Sequence, residues 1–156
     1  MKTLVVYYTR TGNSKFAAET IAAELGADIE EVVDLKKRQG KLAYMSCGRD
    51  PMSGKETEIA LTKRKPADYD LIVIAQPVWA WSPTPAIRTY LNRNDLSGKK
   101  VALFFGGESL KQAIEKTKAL MPNSAFIGEL AVNEPLENKE EAEKKITDWC
   151  NTLETA

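Results

Sequence analysis

Thr3 to Tyr8, Leu71 to Ala75 and Val101 to Phe105 carry apolar runs that do not alternate, and each is followed by a helix start. A strand with one wet face alternates apolar and polar residues, whereas a continuous run belongs to a strand covered on both faces, as in the middle of a parallel sheet. Parallel neighbours must be joined by crossovers, which are normally helices. The signals between the runs agree. After the first, Ala17, Ile21 and Leu25, flanked by Ala18 and Ala22, form a helical stripe that Gly26 ends. After the second, Thr84-Pro85 supplies a cap with proline at the first helical position. After the third, Ser109 with Gln112 has the capping-box pattern ahead of Ala113, Ile114 and Thr117.

Two further strands complete the set. Ile29 to Leu35 alternates more and reads as an edge strand, and Ala125 to Val132 is the fifth candidate. Asn138 with Glu141 opens a last helix whose Ala142, Ile146, Trp149, Cys150 and Leu153 recur at helical spacing. That spacing assigns Trp149 and Cys150 to the core. Five strands alternating with helices in 156 residues predict one domain over residues 1–156, an α/β fold with three layers and right-handed crossovers.

Composition removes several chemistries. The chain has no histidine, which excludes Ser-His-Asp and Cys-His hydrolysis, His-ligated metal catalysis and imidazole proton shuttling. Cys47 and Cys150 form no CxxC pair and read as reduced structural thiols. Twenty-two basic residues balance twenty-two acidic ones, so the electrostatic footprint of a nucleic-acid binder is missing. No run approaches the roughly 18 to 20 apolar residues of a membrane span, and the sequence passes from Met1-Lys2 directly into strand-like residues. A cytoplasmic protein with no nucleic-acid or membrane partner is the expectation.

In a doubly wound sheet, ligands bind beyond the carboxyl ends of the strands, where strand order reverses. The loops Thr9 to Ser14, Gln76 to Thr84 and Gly106 to Ser109 are therefore expected to share one rim. In the first, Thr9, Thr11 and Ser14 offer hydroxyls, Asn13 an amide, and Gly12 a backbone free to turn N–H groups inward at a helix start, which suits a phosphate. Neither GxxxxGK[ST] nor GxGxxG is present. In the second, QPVWAWSPTP, Trp79 and Trp81 stand between prolines and offer aromatic faces to a flat ligand. In the third, Gly106 and Gly107 allow backbone to approach a ring edge.

With these residues in place the chain resembles the flavodoxin-like proteins of the short-chain type. TRTGNS resembles that family's T/S-x-T-G-N-T/S loop for the phosphate of FMN, and PVWAWSPTPAIRTYL resembles the loop after strand three in its bacterial and archaeal members. The resemblance implies strand order 2-1-3-4-5 and FMN as cofactor; no metal site is expected, from the lack of histidine and of a CxxC pair. It gives the phosphate to Thr9, Arg10, Thr11, Gly12, Asn13 and Ser14. Pro77, Val78, Trp79, Ala80 and Trp81 would flank the isoalloxazine, with Gly106, Gly107 and Glu108 on its other side. The chain departs from the family in being neutral where electron-transfer flavodoxins are usually strongly acidic, and in placing Phe104 and Phe105 within a strand rather than in the loop after it.

The implied function is electron transfer through bound flavin to a redox partner protein or a small quinone-like acceptor. An NAD(P)H-dependent quinone or flavin oxidoreductase is a second reading, and a non-redox phosphate-binding or interaction module on the same fold a third. No nicotinamide motif is present, which favours the carrier. Against that, the family's loop after strand three uses a glycine to permit a peptide flip in the one-electron-reduced state, and Pro77 to Ser82 contains none. Positive φ is unfavourable for residues with a Cβ, so the missing glycine favours two-electron work. Finally, Lys36 to Thr57 holds six cations against two carboxylates and reads as a solvated, basic connection around the second crossover helix, with Tyr44, Met45 and the nearby cations as the alternative of a lid or a docking surface beside the flavin.

Overall fold

The computed structural model describes residues 1–36, 54–108 and 110–156. Five parallel strands, β1 (Thr3–Tyr7), β2 (Asp28–Glu31), β3 (Leu71–Pro77), β4 (Lys100–Gly106) and β5 (Ala125–Ala131), form one sheet in the order β2-β1-β3-β4-β5. Helices α1 (Asn13–Leu25), α2 (Pro85–Arg93), α3 (Lys111–Ala119) and α4 (Lys139–Glu154) cover it. The continuous runs are the inner strands: every residue of β1 is buried, as are Leu71 to Gln76 of β3 and Val101 to Phe105 of β4. Edge strands β2 and β5 are only partly covered.

Alternation along the strands divides the core into two layers, because successive side chains leave opposite faces of a sheet. Leu4, Val6, Ile72, Ile74, Leu103 and Phe105 pack on one face with Ala86, Ile87 and Tyr90 of α2 and Ala113 of α3. Val5, Tyr7, Val73, Ala75 and Phe104 pack on the other with Ala17, Ala18 and Ile21 of α1 and the Ala142, Ile146, Trp149, Cys150 and Leu153 stripe of α4. Trp149 and Cys150 are thus core residues, as their spacing predicts. Phe104 and Phe105 are buried within β4 and do not reach the rim.

The β4–β5 register slips between Val101 and Ala102, which pair with Phe126 and Gly128. Gly128 sits beneath α4, where a Cβ would lie 2.7 Å from Leu153 Cδ2 and 3.1 Å from Trp149 Nε1. Only a glycine lets helix and strand approach this closely.

Three local expectations are corrected. The edge strand ends at Glu31 rather than Leu35, because β1 ends at Tyr7 and offers nothing further to pair with; Val33 and Leu35 instead bond to Ala60 and Glu58 of the returning chain. Thr84 precedes α2 with Pro85 at its first position, but its hydroxyl does not cap the helix and turns to Gln76. Leu110, not Ser109, occupies the N-cap of α3, without a side-chain cap. Ser109 lies outside the described residues, as do Cys47, Tyr44, Met45 and most of the basic stretch. Asn138 caps α4 as expected, accepting from the Glu141 amide at 3.3 Å while its own amide group donates to the Glu141 carboxylate at 3.0 Å. No helix among the described residues is long and apolar enough to cross a membrane.

Candidate functional site

All βα loops of a parallel sheet open on the same edge, so the loops after β1, β3, β4 and β5 meet on one rim. The loop from Thr9 to Ser14 is held by its own side chains. Gly12 has φ +100°, a backbone that residues with a Cβ rarely adopt. Its amide donates to Thr9 Oγ1 at 3.0 Å, and Asn13 Nδ2 donates to Thr11 Oγ1 at 3.3 Å. The first helical bond of α1 runs from the Phe16 amide to the Gly12 carbonyl, so the amides just before it have no helical partner and lie at the positive end of the helix dipole.

Ser14 stands at this point. Its residue is 1% exposed, and its hydroxyl is buried with no hydrogen-bond partner. A buried hydroxyl without a partner costs free energy, and its place at a helix N-terminus suits an anionic oxygen. Gly106 lies beside it, since a Cβ there would stand in contact at 3.7 Å from Ser14 Oγ. Gly107 packs against Val78, which a Cβ would press at 3.3 Å. The three predicted loops therefore do converge.

The tryptophan loop is built differently. Trp79 is 9% exposed and packs edge-on against Tyr8, with ring centroids 5.4 Å apart at 89°. Trp81 is 54% exposed. The expectation of two presented faces is corrected to one: Trp79 closes the core end beneath the rim, and Trp81 faces solvent. Between them the chain makes a tight turn in which the Ser82 amide donates to the Trp79 carbonyl at 3.0 Å, with φ of +47° at Ala80 and +56° at Trp81. Positive φ at both central positions is the sign pattern of a type I′ turn, normally made with Gly, Asn or Asp. Positive φ is thus already present at two residues of a loop without glycine, at the strain a Cβ imposes there.

Side chains enforce that turn. Gln76, wholly buried at the end of β3, accepts from both the amide (2.9 Å) and the hydroxyl (3.0 Å) of Thr84 through one oxygen. This fastens the base of the loop. Lys116 Nζ, from α3, donates to Ser82 Oγ at 3.0 Å and ties the turn's exit to the next helix. Glu108 is exposed at the end of the third loop and accepts from Asn133 Nδ2 at 3.3 Å.

The loop after β5 was not among the predicted site elements. Its Leu136 amide donates to Asn13 Oδ1 at 3.0 Å, and Leu136 Cδ1 lies 3.4 Å from where a Gly12 Cβ would be. Asn13 thus spends its oxygen on this loop rather than on a ligand. The signal was available in the topology: Asn133-Glu134-Pro135 follows a strand and must emerge on the same edge. Lys116 had no local signal, since it acts on a residue distant in sequence, and Gln76, which opens the tryptophan loop, gave no sign that it would turn back on Thr84 at the loop's end. A shallow polar hollow lined by Asn92, Asn94, Ser97 and Asn123 lies at the opposite edge of the sheet and contains none of these residues.

A family model described as flavodoxin matches residues 2–153 of the chain. No curated protein matches it. Among solved structures, a flavoprotein from Lactobacillus acidophilus in complex with FMN is similar at 28% identity over 89% of this chain and 97% of its own, with a TM-score of 0.70. A Bacteroides uniformis protein assigned to the flavoproteins is 24% identical over 96% of this chain and 97% of its own, with a TM-score of 0.82. Oxidised Flavodoxin 2 from Bacillus cereus is 20% identical over 99% of both chains, with a TM-score of 0.63. At their identities the last two attest the fold alone.

Proposed function

We propose, from the premise that this chain belongs to the flavodoxin family, that it is a redox protein whose bound FMN passes electrons to a partner protein or a small quinone-like acceptor. The observation that carries the reading is the buried, unpartnered Ser14 hydroxyl at the start of α1. A phosphate oxygen would relieve it, with the helix dipole behind it. Thr9, Arg10, Thr11, Gly12 and Asn13 shape or line the same loop. Gly106 and Gly107 keep backbone low on one side of the rim, and Trp81 offers a face on the other. FMN, when bound, supplies the electron-accepting ring system; the protein supplies binding, orientation and electrostatics. Trp79 and Tyr8 close the core beneath it and exclude water.

The absence of a nicotinamide motif favours the carrier over an enzyme that draws electrons from NAD(P)H. The exposed tryptophan argues against a non-redox phosphate module, which needs no flat platform. The test begins with reconstitution. The purified chain is expected to take up FMN, show a flavin absorption band, and hold FMN more tightly than riboflavin; a colourless chain that FMN cannot reconstitute would refute the reading. Anaerobic reduction of the loaded protein, followed by reoxidation with a quinone, then checks electron transfer. Steady turnover with NAD(P)H and a quinone would make the protein an enzyme in its own right.

A further inference from the structure

We infer that the loop after β5 braces the phosphate loop through Leu136, and that the Asn13 side chain serves cofactor binding as a positioning group and not as a phosphate ligand. Asn13 belongs to the loop the sequence gives to the phosphate, yet both ends of its carboxamide engage protein. Nδ2 donates to Thr11 Oγ1 at 3.3 Å, and Oδ1 accepts from the Leu136 amide at 3.0 Å, across 123 residues of sequence. A second contact runs beside this bond: Leu136 Cδ1 lies 3.4 Å from where a Gly12 Cβ would be. Gly12 is where the loop is hardest to hold, because its φ of +100° fixes a residue that is unusually free in the unfolded chain. Its amide is tied to Thr9 Oγ1 at 3.0 Å, and Leu136 packs against it.

The loop that carries Leu136 is itself anchored. Asn133 Nδ2 donates to Glu108 Oε1 at 3.3 Å, and the Glu137 amide donates to the Glu134 carbonyl at 2.9 Å. Pro135 between them locks its own φ. Glu134 takes φ +42°, a conformation that a residue with a Cβ keeps only where its surroundings impose it. Residues 133–136 thus bridge the loops after β1 and β4. Ser14 follows Asn13 directly, so its buried hydroxyl and the free amides at the start of α1 are aimed by a contact that need not touch the ligand. Positioning of this kind raises affinity by removing freedom before binding. Its use rests on the flavin reading, which supplies the phosphate; the brace itself is complete without cofactor.

The test is a double-mutant cycle on FMN affinity, with Asn13→Ala and Leu136→Pro made singly and together. Asn13→Ala removes the acceptor of the bond, and Leu136→Pro removes the donor together with the leucine side chain. Each single change is expected to weaken FMN by about two- to tenfold, the net worth of one hydrogen bond, and riboflavin by less. The double variant should lose little more than Leu136→Pro alone, because the second change finds the contact already broken. Losses that multiply would make the Asn13 side chain a ligand and overturn the inference, as would FMN affinity unaltered in Leu136→Pro. Leu136→Ala keeps the amide and serves where the proline variant fails to fold. In the cofactor-free chain, hydrogen exchange of the Gly12 amide followed by NMR should quicken by about threefold or more in both Leu136→Ala and Asn13→Ala. Unaltered exchange in both would overturn the brace even if FMN binds, whereas a chain that refuses FMN yet shows the quickened exchange sinks the flavin reading and keeps the brace.

Discussion

The loops after β1 and β3 do neighbouring work by opposite means. The first places a glycine where its backbone needs positive φ and lets its own hydroxyls and amide shape it, so that every bond inside Thr9 to Ser14 spans two or three residues. The second places alanine and tryptophan at positive φ and is fastened by Gln76 from the strand before it and Lys116 from a later helix. Left-handed backbone costs residues with a Cβ about 1 to 2 kcal/mol each. The tryptophan turn therefore persists because packing over-determines it, and strain of this kind gathers at functional sites. The contrast teaches that one loop takes its turn from its own residues, with a single tie to the loop after β5 through Asn13 and Leu136, and the other takes its turn from the fold around it.

The largest effect should come from the self-made loop. Ser14→Ala removes the buried, unpartnered hydroxyl at the start of α1, and a charge-assisted hydrogen bond is worth about 1.5 to 3 kcal/mol. FMN affinity should fall about ten- to hundredfold with riboflavin affinity little altered, as read by flavin fluorescence titration. Equal losses for both ligands would move the phosphate elsewhere and break the contrast from its first side.

Gln76→Leu probes the enforced loop. It leaves the Thr84 amide and hydroxyl buried without their acceptor, at about 1 to 3 kcal/mol of stability, measurable by denaturant unfolding. Riboflavin should be weakened as much as FMN, because the ring side is loosened and the phosphate loop is not. A smaller gain tests the strain itself. Ala80→Gly should raise stability by up to about 1 kcal/mol, the relief at positive φ less the extra freedom of glycine in the unfolded chain. A loss of stability instead would mean that the methyl group packs usefully and that the turn is not strained.

The last prediction takes the scaffold as the common reference for both loops. Burial, with Glu24 and Glu154 adding to it, raises the Cys150 thiol from 9.0 to about 12. Burial, with Glu31, raises the Tyr7 hydroxyl from 10.0 to about 12. Both groups are acids favoured neutral in the folded state, so their contribution is whole below pH 9 and is lost as pH rises from there toward 12, the unfolded chain ionising first. Cys150→Ala should lower stability at neutral pH through the lost packing and flatten the fall between pH 9 and 10, where the Cys150 thiol ionises in the unfolded chain but stays neutral in the folded one. An unchanged slope in that window would show that the thiol is not what the alkaline limb reports.

Much of this was written in the sequence. Continuous apolar runs in β1, β3 and β4, helical stripes in α1 and α4, and the Asn138 cap are short-range patterns whose physics needs no knowledge of distant residues, and together they set the layers; the strand order came only through the family resemblance. The glycine turn ahead of α1 was legible for the same reason. Where local reading went astray, a tertiary contact had intervened. Thr84 looked like a helix cap and serves Gln76, Ile29 to Leu35 looked like one strand and changes partner when β1 runs out, and the paired tryptophans looked alike until Tyr8 took one of them into the core. The positive φ at Ala80 and Trp81 could not be read from residues that ordinarily refuse it, because backbone preference is local whereas the clamps that override it, Gln76 on Thr84 and Lys116 on Ser82, exist only once strand, loop and helix have come together.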